Sequence, residues 1–544
     1  MKICTIHSHL NEAFEQLGHE VLALRPKPGV IDIGERLKAD GFSPDLVFQQ
    51  ETLAKRTLLY GLHTVPCPKI FWSIDTHLNL WWHGLYGQSF DLVLTTQDQL
   101  VAPLEAMGVS RAGHLPWCGR EHPFVPFAQR PRDMVFVGRV TPLRMTRGWM
   151  LDFLAKRFDL EHRRGVPYDG MIAACADGRL APNESILGEV NFRLFEAASA
   201  GCAILNQTVD GDVSLLFEPG REVAVYEHAL ELETKARALL DDPAKAEAMG
   251  RAAHERVLRE HLPAHRAAAI IDAARDLSPS RPDRRRDAAW RRAAALTFEA
   301  GLTPMLHNSV QSLLGRRADD PDILAAQIRL AASSGDRTRM AAMIRPLLSA
   351  SGSPPLDLDL AASTAALQMG WPDAARQILE RRKGLRPDRG PKDRNAILLA
   401  WCDLLEASGR LMRNGFPFDP AVHLPTTAFE CLFTADLDPV HTDKARRLRR
   451  LTRSRRGLEM LHMNALSTLT LHHPDDWRLE LELALTNLRA FRHDQGMQDL
   501  NLALDKARQE GEEDAFKRLA AEMDPSGLVL KALATRTPHT GHAG

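Results

Sequence analysis

The first part of the chain alternates short apolar runs with amphipathic stretches of helical period. Runs of this length between helical stretches are typical of parallel strands joined by crossover helices. Residues 1–125 are therefore predicted to form one Rossmann-like domain. Its predicted strands are KICTIH (2–7), EVLALR (20–25), DLVFQ (45–49), KIFWSID (69–75) and DLVLTT (91–96).

A second unit of the same kind follows a proline-rich connection at 115–127. DMVFVGR (133–139) begins a new strand, and GMIAAC (170–175) and CAILN (202–206) are predicted as further strands. Residues 228–275 have the Ala-rich, charged periodicity of helices that close such a domain. The second Rossmann-like domain is predicted to span residues 126–277, and the two domains are expected to bury cores of their own.

Strand patterns disappear after SPSRPDRRR (278–286), and residues 278–290 are interpreted as a linker. Helix pairs joined by glycine turns follow, with Gly335 and Gly370 35 residues apart and a further turn at Gly409. A period near 34 in paired helices is typical of tetratricopeptide-like repeats. Residues 291–535 are therefore predicted to form an all-α repeat domain, followed by a frayed tail.

The amino-acid composition limits the classes of partner and the cellular compartment that we expect for the protein. The 544 residues carry 69 Lys and Arg against 70 Asp and Glu, so no global charge attracts nucleic acid or an acidic membrane. The seven cysteines are widely spaced and contain no C-x-x-C pair, which favours a reducing compartment. Since neither a signal pattern nor a run of about 18 apolar residues is found, we expect a cytoplasmic protein without a transmembrane segment.

The richest chemical signal lies in LGEVNFRLFEAASAGCAILN (187–206). In a Rossmann-like domain, a nucleotide binds where loops and helix starts meet the carboxyl edge of the sheet. A carboxylate at Glu196 can accept both ribose hydroxyls, and Asn191 and Arg193 can donate to a diphosphate. The spacing fits equally well a structural alternative in which Glu196 caps its helix and pairs with Arg193.

This run resembles the N-x-R-x-F-E-A-x-x-x-G pattern of the CgeB-like (spore-maturation type) glycosyltransferases, a branch of the GT-B enzymes. The similarity continues through 215–261 and covers residues 130–275 strongly. The resemblance implies an α/β chain of two Rossmann-like domains in the GT-B class, here followed by the helical repeats. It also implies a nucleotide-diphosphate sugar as co-substrate and no other cofactor.

The turn VFVGRVTPLR (135–144) agrees with this resemblance. In GT-B enzymes a Gly-Arg turn with a second basic residue five positions on commonly clamps the donor phosphates, which here implies Gly138, Arg139 and Arg144, with Arg147 as a further candidate. Fixed cations can balance the charge that develops on a diphosphate leaving group without a metal. A basic surface turn is the alternative explanation of the same residues.

One position departs from a pattern common in retaining GT-B enzymes. Many of them carry Glu-x7-Glu, but the residue eight positions before Glu196 is Gly188, and Glu189 is out of step by one. Whether the reaction retains or inverts the configuration at the sugar therefore stays open.

The catalytic candidates of the first domain follow its fourth strand. Asp75 and His77 come directly after KIFWSID, and either could take a proton from an acceptor hydroxyl as a general base. His7 and His9, after the first strand, compete for this role. Each of the four is individually more often structural, and core packing is the expected use of Trp72, Trp81 and Trp82.

The remaining motifs concern metals and partners. Asp210-Gly211-Asp212 is interpreted as a turn rather than a metal site, and the arginine-rich segment 445–457 as a solvated helix face, with a docking patch as the alternative. We expect a glycosyltransferase whose helical repeats bind the acceptor, either a protein or a surface glycan, with no nucleic-acid partner. A GT-B nucleotide-sugar epimerase or a catalytically inactive scaffold is the alternative.

Overall fold

The structure, a computed structural model, describes residues 1–535 except 54, 280–282, 318, 350, 351, 353, 387, 439 and 454. Residues 280–282 of the predicted linker and the predicted frayed tail after 535 lie outside the described residues. The chain forms two compact units, each assembled from two separate segments. Unit 1 consists of residues 1–116 and 263–437, and unit 2 of 117–262 and the residues from 438 onward.

The sheet of unit 1 has six parallel strands in the order β2-β1-β4-β6-β7-β8, and β3 pairs with β5 in a separate two-stranded parallel sheet. Its central strands are buried on both faces, which explains their continuous apolar runs. The elements are β1 Lys2–Ile6, α1 Asn11–Gln16, β2 Glu20–Leu24, β3 Gly29–Asp32, α2 Ile33–Ala39, β4 Leu46–Gln50, β5 Thr57–Tyr60, β6 Lys69–Ser73, α3 Thr76–Tyr86, β7 Leu92–Thr95, α4 Val101–Ala106 and β8 Ala112–His114.

The sheet of unit 2 has five parallel strands in the order β10-β9-β11-β12-β13. Helices connect successive strands, as the alternating pattern predicts, and α8 and α9 close the domain. The elements are β9 Arg132–Val137, α5 Met145–Ala155, β10 Leu160–Arg163, α6 Met171–Cys175, β11 Gly178–Asn183, α7 Phe192–Ser199, β12 Ala203–Gln207, β13 Val223–Tyr226, α8 Ala229–Asp241 and α9 Pro243–Glu260.

One predicted strand is wrong. GMIAAC at 170–175 forms the helix α6, and the strand of this region is β11, a few residues later. A short apolar run does not distinguish a buried strand from a buried helix by its periodicity. The true strand contains Pro182, a residue that argues against a central strand because it donates no ladder hydrogen bond.

The described remainder of the chain is helical. The first nine of these helices belong to unit 1 and the last six to unit 2. They are α10 Pro263–Arg275, α11 Arg284–Glu299, α12 His307–Gly315, α13 Pro321–Ser333, α14 Arg337–Leu348, α15 Leu356–Gln368, α16 Pro372–Lys383, α17 Arg394–Ala407, α18 Ala428–Thr434, α19 Thr442–Thr452, α20 Glu459–His472, α21 Trp477–Arg489, α22 His493–Gln509, α23 Glu513–Met523 and α24 Leu528–Ala534.

These helices form pairs joined by tight turns, as predicted. Gly335, Gly370 and Gly409 follow α13, α15 and α17 with φ of 69°, 78° and 75°, a conformation that glycine adopts without strain. The structure thus confirms the α/β class with two Rossmann-like domains and an all-α region. None of the described helices is long and apolar enough to cross a membrane.

The predicted linker at 278–290 differs from the structure, because α11 begins at Arg284. The carboxylate of Asp283 accepts a hydrogen bond from the backbone N–H of Arg285 and caps the helix. Arginine favours helix, so the basic run continues the helix after this cap rather than remaining extended.

The helical region contributes to the cores of both sheets, contrary to the expectation of separate cores. In unit 1, Trp290, Ala293 and Leu296 of α11 pack in one cluster with Phe71 and other residues of the six-stranded sheet. In unit 2, Phe491, which follows α21, packs among residues of the five-stranded sheet. Each sheet is therefore covered in part by helices from the second half of the chain.

Candidate functional site

The candidate donor site of unit 2 lies at the carboxyl edge of its sheet. β9 ends at Val137 and is followed by the turn that contains Gly138, while β11 ends at Asn183 and leads through a short loop into α7. Because β9 and β11 are parallel neighbours, the residues that follow them meet at the same edge. The sequence-predicted residues of 138–144 and 191–196 are brought together there.

Glu196 lies one turn into α7, rather than at the start of the helix as expected. The residue is only 9% exposed, yet its carboxylate accepts no hydrogen bond from any described residue, and its oxygens are not among the fully buried unpartnered atoms. Burial raises the pKa of Glu196, and the positive charges of Arg193 and Arg120 act in the opposite direction. A carboxylate that reaches solvent without a protein partner can accept hydrogen bonds from ligand hydroxyls.

Arg193 is held in place by three contacts. Its Nη1 donates to Asn183 Oδ1 at 2.9 Å and lies 3.2 Å from Glu184 Oε2 in an ion pair, and its Nε donates to the carbonyl oxygen of Val137 at 3.2 Å. The guanidinium also stacks over the ring of Phe136, 4.3 Å from its centroid. The alternative in which Arg193 pairs with Glu196 is not found, because its carboxylate partner is Glu184.

Glu184 is a site residue that the sequence reasoning missed. Its buried carboxylate lies between Arg193 and Arg147, so two guanidinium groups share one negative charge. Burial and the neighbouring Arg193 lower the pKa of Arg147 to about 10, although Glu184 counteracts them. This edge of the sheet therefore carries excess positive charge. Glu184 directly follows β11, and correct placement of that strand would have indicated it.

Arg139 and Arg144 are the exposed cations of the turn. Their side chains form no ion pair or hydrogen bond with the part of the chain that the structure describes. The carbonyl oxygen of Arg139 accepts a hydrogen bond from Arg147 Nη1 at 2.9 Å, which fixes the turn. At Gly138 an added Cβ would lie 3.1 Å from Arg193 Nη2 and 3.1 Å from the Phe136 ring, so a side chain here would crowd this guanidinium.

Asn191 stabilises the loop before α7. It occupies the N-cap position, and its Nδ2 donates to the carbonyl oxygen of Glu184 at 2.9 Å. Its buried Oδ1 has no hydrogen-bond partner among the described residues. The side chain does not cap the backbone N–H groups of α7.

Glu189 and the Asp-Gly-Asp segment have structural contacts. Glu189 accepts hydrogen bonds from Ser185 Oγ at 2.9 Å and from the backbone N–H of Leu187 at 2.7 Å, which closes the loop after β11. Asp210 packs against Gly188, where a Cβ would lie 2.3 Å from its carboxylate, and Asp212 accepts from the backbone N–H of Ser214 at 2.9 Å. These contacts agree with the predicted turn.

In unit 2, His228, Glu231 and Asp524 form a group whose candidate ligand atoms lie within 4.8 Å of one another. His228 Nε2 donates to Asp524 Oδ1 at 3.3 Å, and this contact lowers the pKa of Asp524 although burial opposes it. The pair joins the start of α8 to the segment before α24, so a hydrogen bond between His228 and Asp524 accounts for the arrangement.

The arginine-rich segment at 445–457 forms ion pairs within unit 2. Arg449 pairs with Glu482, and Arg456 Nη2 lies 2.7 Å from Glu227 Oε2. Because Glu227 directly follows β13, the turn between α19 and α20 is held against the carboxyl edge of the sheet. The predicted solvated face is thus partly an internal contact.

In unit 1, Asp75 lies at the carboxyl edge of the sheet beside Glu51, which the sequence reasoning missed. The fully buried Oε2 of Glu51 accepts hydrogen bonds from the backbone N–H groups of Ile74 and Asp75, both at 2.8 Å. Burial, followed by the nearby charge of Asp75, raises the pKa of Glu51 to about 8. Glu51 comes directly after β4, and a carboxylate at the end of a predicted strand could have been recognised as a candidate from the sequence.

His77 and His83 lie on the helix that follows Asp75. Nδ1 of His77 is buried without a hydrogen-bond partner among the described residues. His83 is completely buried, its Nδ1 lies 2.7 Å from Ser73 Oγ, and its Nε2 lies 3.5 Å from Glu51 Oε1. Burial, with Arg56 and His77, places the pKa of His83 well below its usual value, so this imidazole is neutral.

The competing histidines after β1 are both held by polar neighbours. His7 Nε2 lies 3.1 Å from Thr57 Oγ1, and its φ of 57° is unusual for a residue other than glycine. His9 Nδ1 accepts from Gln50 Nε2 at 2.8 Å. Burial lowers the pKa of both histidines, and Arg25 adds to this effect, so each imidazole is neutral at physiological pH.

The tryptophans near this edge belong to the core, as expected. Trp72, Trp81 and Trp82 are all buried. Their ring N–H groups donate to protein oxygens, with Trp72 donating to the carbonyl oxygen of Leu115 and Trp82 to Asn79 Oδ1. Their hydrogen bonds and their burial are therefore accounted for within unit 1.

Both sheets are parallel, and polar residues follow the strands of each. These features define a protein of two Rossmann-like α/β domains. A sequence model of the glycosyl transferase-like family matches residues 120–272, which span the five-stranded sheet and the candidate donor site. This segment of the chain is therefore similar in sequence to the glycosyl transferase-like family. No curated protein sequence matches the chain significantly.

Several solved structures are weakly similar to about half of the chain. Sucrose-phosphate synthase from Thermosynechococcus elongatus is 13% identical with a TM-score of 0.37, covering 51% of this chain and 98% of its own. Anabaena HepE in complex with UDP and glucose is 12% identical with a TM-score of 0.39, covering 51% and 100%. The pneumococcal O-GlcNAc transferase GtfA in complex with UDP and GlcNAc is 9% identical with a TM-score of 0.32, covering 44% and 59%.

Proposed function

We propose that the protein is a glycosyltransferase that moves a sugar from a nucleotide-diphosphate donor to an acceptor. One observation carries the proposal. Within the segment that matches the glycosyl transferase-like family, Glu196 presents a carboxylate that has no hydrogen-bond partner among the described residues, in the same helix as Arg193. A ribose offers the hydroxyl donors that this carboxylate lacks.

The diphosphate is the natural partner of the neighbouring positive charge. In this proposal Arg139 and Arg144 contact the phosphates from the turn after β9, while Arg193 and the uncapped start of α7 contribute from the other side. Preorganised donors of this kind stabilise a leaving group because they need no reorganisation during the reaction. Glu184 and Arg147 act as positioning residues, since their ion pairs fix Arg193 and the turn.

The acceptor is proposed to bind to unit 1, where Asp75 and His77 are the candidate general bases. Glu51 holds the backbone at Asp75 through two hydrogen bonds and so positions this residue. The histidine at 77 has a buried ring nitrogen with no partner in the described structure, which leaves it able to bind a hydroxyl. The stereochemical outcome stays open.

Two finer points extend the proposal. We assign the chain to the CgeB-like branch, supported by the run from Asn191 to Gly201 at the start and end of α7. We also propose that the acceptor is a protein bound by tetratricopeptide-like repeats, supported by the helix pairs with glycine turns. Transfer of a labelled sugar to precipitable protein, rather than to a free glycan, is the measurement that checks this.

Glu196 can be tested through its expected partner, the ribose. We expect the wild-type protein to bind a nucleoside diphosphate about tenfold or more tightly than its 2′,3′-dideoxy analogue, because a hydrogen bond to a charged group contributes about 1.5–3 kcal/mol. Glu196→Ala should bind both compounds with the same, weaker affinity. Isothermal titration with the base chosen from a panel of nucleoside diphosphates measures these affinities.

The controls separate contact from folding. Arg139→Gln should weaken the binding of both compounds equally, since Arg139 is proposed to contact the phosphates. Arg132→Gln, at the exposed amino end of the same strand, should leave both affinities unchanged. If Glu196→Ala keeps the wild-type preference for ribose, the donor assignment is wrong.

We also propose that turnover needs no divalent metal. The two aspartates of the Asp-Gly-Asp turn have structural contacts with Gly188 and Ser214, and the arginines supply the positive charge instead. Release of nucleoside diphosphate should be unchanged in excess EDTA. Loss of turnover in EDTA that manganese restores would contradict the proposal and direct attention to Asp210 and Asp212.

A further inference from the structure

A second cationic cavity lies in unit 1, remote from the polar residues at the carboxyl edge of its sheet. It has a volume of about 330 Å³ and is lined in part by Lys69, Arg286, Arg317 and Trp290. Lys69 and Ser73 are the first and last residues of β6 and are separated by about 13 Å at the usual rise of a strand, and Asp75 follows the end of that strand. The cavity is therefore distinct from the candidate catalytic edge.

Three cations of the cavity have buried nitrogen atoms without a hydrogen-bond partner among the described residues. These atoms are Nζ of Lys69, Nη1 of Arg286 and Nε of Arg317. The Lys69 side chain is only 1% exposed, and its Nζ forms an ion pair with Asp91 Oδ2 at 3.8 Å, which is longer than a hydrogen bond. Buried polar atoms in proteins are normally hydrogen-bonded, so three donors without a hydrogen-bond partner at one cavity indicate an absent acceptor.

The charge of the lining agrees with an anion. Four basic side chains, the fourth being that of Arg284, line the cavity with two carboxylates, those of Asp283 and Asp287. Asp287 is already paired with Arg291, whose Nε lies 2.8 Å from its Oδ2. Burial lowers the pKa of Lys69 and Arg286 adds to this effect, although Asp91 and Cys67 oppose it. An anion would relieve the mutual repulsion of these cations.

The cavity also has an apolar wall. Leu59, Leu62, Tyr60 and Trp290 contribute to its lining, and the rings of Tyr60 and Trp290 lie 5.0 Å apart. Its volume is at the small end of ligand pockets, roughly 300–1,000 Å³. An inorganic ion alone would leave this wall without contacts.

We propose that this cavity binds a small phosphate ester, with the phosphate held by Lys69, Arg286 and Arg317 and the organic part against the wall formed by Leu59, Leu62 and Trp290. Because the cavity involves α11, the ligand joins the helical region to the six-stranded sheet. The site is independent of the proposed donor site, so a failure of one assignment does not affect the other.

Isothermal titration at low ionic strength tests this with three compounds, namely glucose 6-phosphate, inorganic phosphate and glucose. Glucose 6-phosphate should bind most tightly, phosphate more weakly, and glucose not at all. Arg286→Gln and Arg317→Gln should each weaken binding of glucose 6-phosphate about tenfold, as expected for loss of one charge-assisted contact. Both side chains lie near the surface, so these variants should fold; Lys69 is left unchanged because it is buried.

Arg285→Gln is the matched control, since Arg285 is exposed on the same turn of α11 and does not line the cavity. It should bind as the wild type does. Equal binding by all three variants, loss of binding in Arg139→Gln, or no binding of either phosphate compound to the wild-type protein would overturn the proposal. Binding of phosphate but not of glucose 6-phosphate would show that the ligand is not a phosphate ester.

Discussion

Glu51 and Glu196 are both buried carboxyl groups, but their surroundings differ in kind. Glu51 accepts hydrogen bonds from Ile74, Asp75 and Asn79, so its place is fixed by the protein itself. Glu196 has no such donors among the described residues. The first is therefore suited to hold a loop, and the second to receive a ligand.

The raised pKa of Glu51 predicts a pH-dependent stability. In the unfolded chain this carboxyl group loses its proton near pH 4.5, whereas in the folded protein it keeps the proton until about pH 8. The folded state thus binds more protons between these values, and the free energy of unfolding contributed by Glu51 falls as the pH rises. The slope is at most about 1.4 kcal/mol per pH unit.

Urea unfolding of the wild type and of Glu51→Gln at pH 5 and pH 8 measures this contribution. The stability of the wild type relative to the variant should decrease from pH 5 to pH 8, because glutamine does not titrate. The charged neighbours of the group are the same in both proteins, namely Arg56, His83 and Asp75. Much of their own contribution to the pH dependence of stability therefore cancels in the comparison. Glu12 lies at an exposed position in α1, so the unfolding free energy of Glu12→Gln should change between pH 5 and pH 8 as that of the wild type does. The same pH dependence in Glu51→Gln and the wild type would contradict the prediction.

The donor-site residues could be found from sequence only in part. Arg193 and Glu196 were recognisable because a continuous run carries them, and the structure brings them near Gly138. Glu184 was not recognised, because its strand contains Pro182 and a neighbouring apolar run was mistaken for it. The partner of Arg193 depends on which strands are adjacent, which a linear pattern does not contain.

At the scale of elements, strands and helix pairs were predictable and their packing partners were not. The alternation of apolar runs predicted every strand of the six-stranded sheet except the short β8, and the separate pair β3 and β5 was also missed. The position of α11 could not be inferred, since its apolar face fits any apolar surface of similar shape. Only the fold shows that it covers the first sheet.

The helix α11 is expected to be essential for the stability of unit 1. Trp290 is buried, its ring N–H donates to the carbonyl oxygen of Leu59 at 2.8 Å, and its ring contacts Tyr60. Trp290→Ala should lower the free energy of unfolding by about 3–5 kcal/mol, the usual cost of removing a large aromatic side chain from a core. Chemical denaturation measures the change.

Leu306→Ala provides the comparison for this variant. Leu306 belongs to the same unit but is 77% exposed, so its removal should change the stability by less than about 0.5 kcal/mol. A similarly small effect of Trp290→Ala would show that α11 does not complete the core of the first sheet.

At the scale of the whole molecule, two parallel sheets and a long helical region were predictable from composition and periodicity. The grouping of the helices was not, because it depends on contacts between residues hundreds of positions apart. Residues 263–437 belong with the first sheet and those from 438 onward with the second.

This grouping has a consequence for the order in which the protein can be made. A ribosome delivers the first sheet early, but unit 1 is complete only after residue 437 has been synthesised, and unit 2 only near the end of the chain. Neither unit is encoded by a continuous stretch of the gene, so no single truncation separates them. The nascent first sheet must keep the surface that α11 covers from aggregating while about 170 further residues emerge, which takes roughly ten to thirty seconds at usual rates of protein synthesis.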